Sequence, residues 1–181
     1  PAATDYFLDL SAYDVYSGLT LKITIEGAPT LAGPVVFSAL NGASFQPTIS
    51  SGSWITIRGS GLATTTRTWA AADFQGNKLP LSLDGVSVQV NGKDAPVYFI
   101  SPTQINALAP TDSSTGRVTV SVKNAAGTSS TTVSLQTSSP AFFTLDGTYI
   151  AAVHLDGTFV GPVGFLKGVT SRPASPGERI L

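Results

Sequence analysis

The single histidine of the chain, His154, is the first residue to consider for catalytic chemistry. A serine hydrolase would need it as the base between a nucleophile and an acid, and Asp156 lies two residues further on. The Asp156-Gly157-Thr158 sequence is instead typical of a tight turn, and the chain contains neither a Gly-x-Ser-x-Gly elbow nor a Ser-x-x-Lys motif. We therefore predict a structural role for His154, no catalytic residues and no enzymatic activity.

Metal-binding chemistry has few candidate ligands in this sequence. The absence of cysteine and the single histidine exclude ordinary zinc sites. Asp5, Asp9 and Asp14 lie close together but lack the spacing of a calcium loop. We interpret them as surface acids and predict neither a metal nor a cofactor.

Aromatic residues form the one pattern that favours ligand binding. Trp54, Trp69, Tyr98 and Phe99 could together form a platform for stacking sugar rings. Trp54 alternates with Ile55 in a predicted strand, so one of the two must face outward or lie against a loop, and Trp69 lies in a polar stretch. Tryptophan is usually largely buried, so capping of the core is the alternative interpretation. Trp54 and Trp69 are thus the candidate sugar-binding residues.

The composition restricts the class of protein. The chain has 181 residues, of which 10 are basic and 11 acidic, and 12% are charged, against about 25% in an ordinary domain. This near-neutral balance argues against a nucleic-acid partner, and no run of 18 apolar residues is present to span a membrane. The 21 serines and 22 threonines fit a hydroxyl-rich secreted protein or a subunit covered by its neighbours. Because methionine is absent, we expect an extracellular or cell-surface chain whose signal peptide has been removed.

The elements that must position these residues are predicted to be strands. Short runs of alternating apolar residues are separated by Gly, Pro, Asn and Asp, as in all-β proteins. The Asn91-Gly92 pair is a strong hairpin signal, and we expect the return strand at residues 97–100. A further strand is predicted at residues 149–155, and only residues 69–74 have helical character.

Two groups of motifs resemble known families. Residues 41–47 (NGASFQP) and 52–62 (GSWITIRGSGL) resemble the opening of an IPT/TIG-type immunoglobulin-like domain. A more specific resemblance, to an uncharacterised C-terminal domain of secreted Acidobacteria (Solibacter-type) proteins, rests on residues 83–92 (LDGVSVQVNG), 100–106 (ISPTQIN) and 139–143 (SPAFF). The resemblance covers about residues 36–181. It implies an extracellular immunoglobulin-like β-sandwich and offers no catalytic residues.

The same patterns predict three parts. Residues 1–34 form a strand extension that could be donated to another sheet, residues 35–144 form the immunoglobulin-like sandwich, and residues 145–181 form a β segment that begins an incomplete second sandwich. In the resembling family, a second sandwich usually continues beyond the position of Leu181. Residues 19–26 alternate apolar and polar side chains, the pattern of a half-buried strand.

A strand with an unpaired edge and an apolar face is a template for association. We therefore predict an extracellular assembly protein, a subunit of a surface filament or matrix whose partners are copies of itself joined by strand complementation. The alternative is a carbohydrate-binding or adhesion module of a larger secreted protein. The residues predicted for assembly are apolar and lie towards the two ends of the chain: Tyr6, Phe7, Leu8, Leu19, Leu21, Ile23, Ile25, Tyr149, Ile150, Val153, Phe159, Val160, Ile180 and Leu181.

Overall fold

The structure, a computed structural model, describes residues 33–145 and 147–181. The predictions for residues 1–32, including the strand at 19–26, lie outside these described residues. Within the described part, the strands in chain order are β1 (Val35–Asn41), β2 (Thr48–Ser50), β3 (Trp54–Ser60), β4 (Arg67–Thr68), β5 (Ser82–Leu83), β6 (Val86–Val90), β7 (Lys93–Ala95), β8 (Val97–Ile100), β9 (Gln104–Leu108), β10 (Gly116–Asn124), β11 (Gly127–Gln136), β12 (Phe159–Val160) and β13 (Ser171–Arg172).

The first eleven strands form two sheets. The first sheet has the order β1-β3-β9-β8-β4 and is antiparallel throughout. The second has the order β2-β11-β10-β6-β5, with β7 also paired to β6. In it, only the β2–β11 pair is parallel. The predicted all-β, immunoglobulin-like sandwich is confirmed.

The core lies between the inner faces of the two sheets. Ile55, Ile57 and Ile105 of the first sheet are fully buried, and Val88 and Val120 of the second are at most 1% exposed. These side chains occupy every second position of their strands, so that the intervening residues face outward. This alternation puts the polar and aromatic residues of the first sheet on its outer face.

The predicted hairpin at Asn91-Gly92 forms, but its predicted return strand was wrong. Both turn residues have positive φ, 52° and 74°, as a tight two-residue turn requires. The strand that returns alongside β6 is β7, whereas β8 belongs to the first sheet. Between β7 and β8 stands Pro96, which lacks the N–H needed to continue a ladder, and the chain crosses to the other sheet there.

The helical character predicted for residues 69–74 amounts to a single 3-10 turn at Ala71–Asp73. The carboxylate of Asp73 accepts a hydrogen bond from the backbone N–H of Ala70 at 2.7 Å. Such a bond caps the start of the turn, because it satisfies an N–H that has no partner inside the helix. The turn ends at Phe74, whose backbone is extended.

Residues 147–181 contain little regular structure. Strands β12 and β13 pair in parallel, and Val153 and Leu181 exchange backbone hydrogen bonds of 2.9 and 2.8 Å. The continuous strand predicted at residues 149–155 was wrong, because isolated bridges form there instead, from Ile150 to Thr144, from Val153 to Phe159 and from His154 to Ile180. The backbone turns sharply where the N–H of Ala152 donates to the carbonyl of Ile150 at 2.9 Å, which interrupts the ladder.

Candidate functional site

The central strands of the first sheet supply the outward-facing groups of the site. Because Ile55 and Ile57 point into the core, Trp54 and Thr56 of β3 lie on the outer face. Thr56 pairs with Asn106 of β9, and its hydroxyl donates to the Asn106 side-chain oxygen at 3.2 Å. The expectation that one of Trp54 and Ile55 faces outward is therefore confirmed, with Trp54 half-buried on that face.

A β-bulge directs Tyr98 towards the same face. In the pairing of β8 with β9 the register shifts between Val97 and Phe99, so Tyr98 is an extra residue in its strand. Val97 and Ile100 are fully buried, whereas Tyr98 is 37% exposed. Bulges commonly redirect a side chain next to a functional site.

Four aromatic rings form a continuous series of contacts that includes Tyr98. The centroid of its ring lies 5.6 Å from that of Trp54 and 4.8 Å from that of Trp69, and Trp69 lies 5.3 Å from Phe74. These three contacts are edge-to-face, with interplanar angles of 63°, 76° and 65°, an arrangement that aromatic pairs prefer. The rings of the candidate residues Trp54 and Trp69 lie 6.2 Å apart, and Trp69 packs against the core, as in the alternative interpretation.

The side chain of Asn106 is held in one orientation by its neighbours. Its oxygen accepts from the Thr56 hydroxyl and from the amide nitrogen of Gln104, the latter at 2.8 Å. A carbonyl oxygen accepts two hydrogen bonds, so the oxygen is satisfied. Within the described residues no acceptor engages the Asn106 amide nitrogen, so its two N–H groups can bind a ligand.

These groups surround a cleft of about 210 Å³, here called the aromatic cleft. Its far wall is Phe143, which is 51% exposed and whose carbonyl accepts from the N–H of Ala151 at 2.7 Å. The lining combines aromatic rings with hydroxyl and amide groups: Gly42, Trp54, Ile55, Thr56, Tyr98, Asn106 and Phe143. No lining residue is charged, so the cleft suits a neutral ligand with both apolar faces and hydroxyl groups.

Arg67 forms two ion pairs close to Trp69, here called the arginine clamp. The guanidinium of Arg67 contacts Asp73 at 2.8 Å and Asp84 at 2.7 Å. Its hydrogen bonds lower the pKa of Asp73 to about 2 and also hold the pKa of Asp84 below its usual value. Both carboxylates are therefore ionised at neutral pH, and they hold Arg67 in place next to Trp69.

His154 lies in the C-terminal segment and is 1% exposed. Its Nδ1 lies 2.7 Å from a carboxylate oxygen of Glu178, and its Nε2 lies 3.0 Å from the carbonyl oxygen of Arg172. Both ring nitrogens are thus occupied, and among residues 33–145 and 147–181 neither contacts a hydroxyl nucleophile. Asp156 instead accepts from the N–H and hydroxyl of Thr158, at 2.9 and 2.7 Å, which is the predicted turn.

The residues predicted for assembly near the C-terminus lie in different environments. Ile150, Ile180 and Leu181 line an apolar groove of about 360 Å³ together with Ala141, Phe142, Phe143, Ala151 and Ala152. Tyr149 contacts the ring of Phe165, with centroids 5.1 Å apart. Val153, Phe159 and Val160 are half-buried, and the seven residues predicted between Tyr6 and Ile25 lie outside the described part.

Sequence reasoning missed Asn106 and Phe143. Asn106 stands between the buried residues Ile105 and Ala107, so the alternation alone could have placed it outward beside Thr56. Phe143 had no such signal, because it belongs to an irregular segment. That segment is fixed by Asn41, whose amide nitrogen donates to the carbonyl of Ser139 at 3.0 Å.

Two further features concern residues 33–145 and 147–181 alone. No group of three or more His, Asp or Glu side chains there could hold a metal ion. No helix in that part of the chain has the length and apolar character needed to cross a membrane.

Comparison with solved structures gives distant likenesses. A gamma-CGTase from an alkalophilic Bacillus clarkii is 20% identical over 61% of this chain, with a TM-score of 0.40. Auxiliary nutrient binding proteins from Bacteroides ovatus and Bacteroides thetaiotaomicron are 16% and 11% identical over 59% and 56% of this chain, with TM-scores of 0.38 and 0.36. The chain spans only 13%, 22% and 20% of these three structures.

No curated protein matches the chain. The family comparison covers strands β2 to β11 of the sandwich. Residues 43–137, just over half of the 181 residues, match the profile of the IPT/TIG domain, and the chain therefore belongs to the IPT/TIG domain family.

Proposed function

We propose that this protein is an extracellular binding module that holds a neutral sugar ring in the aromatic cleft. One observation carries the proposal: the rings of Trp54, Tyr98 and Phe143 border a cleft that also contains the amide nitrogen of Asn106, which no described residue engages. Aromatic rings offer large apolar contact areas at little entropic cost, and an amide supplies the directional hydrogen bonds.

A pyranose ring needs both kinds of contact. Its C–H groups form apolar faces, which pack against aromatic rings, while its hydroxyls lose free energy on burial unless they find partners. The cleft of about 210 Å³ is smaller than the pockets of about 300–1,000 Å³ that take drug-sized ligands. It therefore suits a single ring, and the uncharged lining favours neutral sugars over acidic ones.

A glycan array followed by calorimetry tests the proposal. Tyr98→Ala should weaken the binding of a neutral glycan about tenfold or more, as the loss of a central aromatic contact does, while Tyr98→Phe should retain most of it. The matched control is Phe37→Ala, because Phe37 is 65% exposed but does not line the cleft. Failure to bind any neutral glycan, or equal losses in Tyr98→Ala and Phe37→Ala, would contradict it.

The setting of the module is part of the same proposal. The low charge and abundant hydroxyl side chains support a secreted or cell-surface location, and the motifs at residues 83–92 and 100–106 support membership of the Acidobacteria-type C-terminal domains. We take residues 35–144 as the binding domain and residues 145–181 as the beginning of a second sandwich.

A second candidate function, assembly into a filament, is favoured by the apolar groove. Phe142 and Leu181 are 75% and 66% exposed there. The groove adjoins the aromatic cleft at the end of β1 where Asn41 lies. Gly33 lies at the opposite end of β1, beside the β10–β11 turn and near Ala126. We propose as its occupant residues 19–25 of a second copy, in a head-to-tail contact that does not close.

Light scattering of the full chain tests this second candidate. Polymers should form at micromolar concentration, and both Ile23→Asp in the donated strand and Phe142→Asp in the groove should dissociate them. Phe37→Asp serves as the control, because Phe37 is exposed but lies outside the groove. A wild-type monomer, including one in which residues 19–25 fill the groove of their own chain, would refute assembly.

A further inference from the structure

The aromatic cleft is one end of a longer surface. From Tyr98 the ring contacts continue to Trp69 and then to Phe74, over centroid distances of 4.8 and 5.3 Å. The backbone N–H of Trp69 donates to the carbonyl of Tyr98 at 2.9 Å, which fixes the rings relative to one another. Phe74 is half-buried and is flanked in sequence by Asp73 and Gln75.

Those two neighbours of Phe74 line a second opening of about 160 Å³, here called the polar depression, with Lys78, Leu81 and Ser82 on its rim. Both oxygens of Asp73 are engaged, one by Arg67 alone and the other by Arg67 and the N–H of Ala70. Gln75 and Lys78, in contrast, are exposed, and among the described residues neither side chain has a hydrogen-bond partner.

We infer that the polar depression is a second subsite and that the ligand is a neutral oligosaccharide of two or more residues, a conclusion that rests on the proposed function. One sugar of the oligosaccharide occupies the aromatic cleft. The oligosaccharide then passes over the rings of Trp69 and Phe74, and a later sugar contacts Gln75 and Lys78. The amide and ammonium groups are donors and the amide is also an acceptor, which suits the alternating hydroxyls of a sugar. The arginine clamp holds the 3-10 turn at Ala71–Asp73 that precedes them.

The test is how the binding affinity depends on the number of sugars in the oligosaccharide. Calorimetry would measure the binding of two series of sugars to the full-length protein. One series runs from glucose to cellohexaose and the other from glucose to maltohexaose. For the series that binds, affinity should rise about fivefold or more between the single sugar and the trisaccharide. The double variant Gln75→Ala/Lys78→Ala should abolish this rise and leave the single-sugar affinity unchanged.

Exposed residues of the same types provide the control, Gln136→Ala/Lys123→Ala, which should behave as wild type. Affinity that is independent of length, or a length dependence that survives the double variant, would overturn the second subsite while leaving the aromatic cleft in place. If neither series binds, a second subsite for glucose oligomers is refuted, whereas the aromatic cleft is judged separately by the glycan array.

Discussion

Trp54 and Tyr98 contact one another across an intervening strand. Trp54 begins β3 and Tyr98 lies in β8, and β9 runs between these two strands. Strands two apart in a sheet are separated by about 10 Å, yet the ring centroids are only 5.6 Å apart. The two side chains therefore lean over β9, and the cleft that they border lies at the middle of the sheet.

The first prediction concerns fluorescence. Both tryptophans contact the ring of Tyr98, so Tyr98→Ala should expose their indoles to water and shift the emission maximum to longer wavelength. Tyr98→Phe keeps the ring and should leave the spectrum close to that of wild type. An unchanged spectrum in Tyr98→Ala would show that the three rings do not pack together in solution.

The second prediction tests how Trp54 is positioned. A Cβ added at Gly42 would lie 3.0 Å from the backbone and Cβ of Trp54, and the Gly42 N–H donates to the Trp54 carbonyl at 2.7 Å. Gly42→Ala should therefore destabilise the protein by about 1–3 kcal/mol in urea unfolding, as overpacking does. The exposed control Ser113→Ala should change stability by no more than about 0.5 kcal/mol. Equal effects of the two substitutions would contradict the close approach.

The third prediction concerns the core beneath the cleft. Ile105 is fully buried in β9, so Ile105→Ala should cost about 2–5 kcal/mol of unfolding free energy and Ile105→Val about 0.5–1.5 kcal/mol. Chemical denaturation measures both, with the exposed Thr119→Ala as the control. A loss below about 1 kcal/mol for Ile105→Ala would be inconsistent with the position of this side chain between the sheets.

The fourth prediction concerns acid. Hydrogen bonds from Arg172 and from the backbone N–H of Ser175 lower the pKa of Glu178 from 4.5 to about 2. A carboxylate with a lowered pKa stabilises the folded state above its unfolded pKa, and that contribution disappears as the pH falls through the folded value. The C-terminal segment should thus keep its structure at pH 5 and lose stability between about pH 4.5 and 2.

Amide exchange measures this locally, since the N–H of Leu181 donates to Val153 at 2.8 Å. A local probe and a Glu178 variant are both needed, because the pKa values of Asp73 and Asp84 in the sandwich and of Asp156 in the C-terminal segment are lowered too. In Glu178→Gln, protection of Leu181 should be weaker at pH 5 and should lose most of its dependence on pH below 4.5. A pH dependence equal to that of wild type would show that Glu178 does not hold the segment.

The sandwich could be predicted because its signal is local. Alternation in β3, β6 and β10 reports directly which side chains are buried, and Asn91-Gly92 specifies its own turn. The strand that pairs after that turn depends on more distant interactions. Residues 97–100 have good strand character, but the chain crosses to the other sheet at Pro96 before they begin. Strand β7, with three residues, is too short and too polar to be predicted from the sequence.

The aromatic cleft was predicted only in part, because it too depends on interactions between distant residues. The aromatic residues are visible in the sequence, and the adjacent Tyr98 and Phe99 interrupt the alternation between Val97 and Ile100, which is the mark of the bulge. Which rings meet depends on the strand order, and that order places β9 between β3 and β8. Phe143 is placed at the cleft by hydrogen bonds, from Asn41 to Ser139 and from Ala151 to Phe143 itself, and no periodicity encodes them.

Residue-resolved NMR is the most direct test of the central claim that the aromatic cleft binds a sugar. A neutral oligosaccharide identified on the array would be titrated into labelled full-length protein. The predicted result is a set of saturable shifts at the Trp54 indole, the Tyr98 ring and the Asn106 amide, with none at Phe37. Shifts confined to residues outside the cleft, or no saturable shift at these three groups, would contradict it.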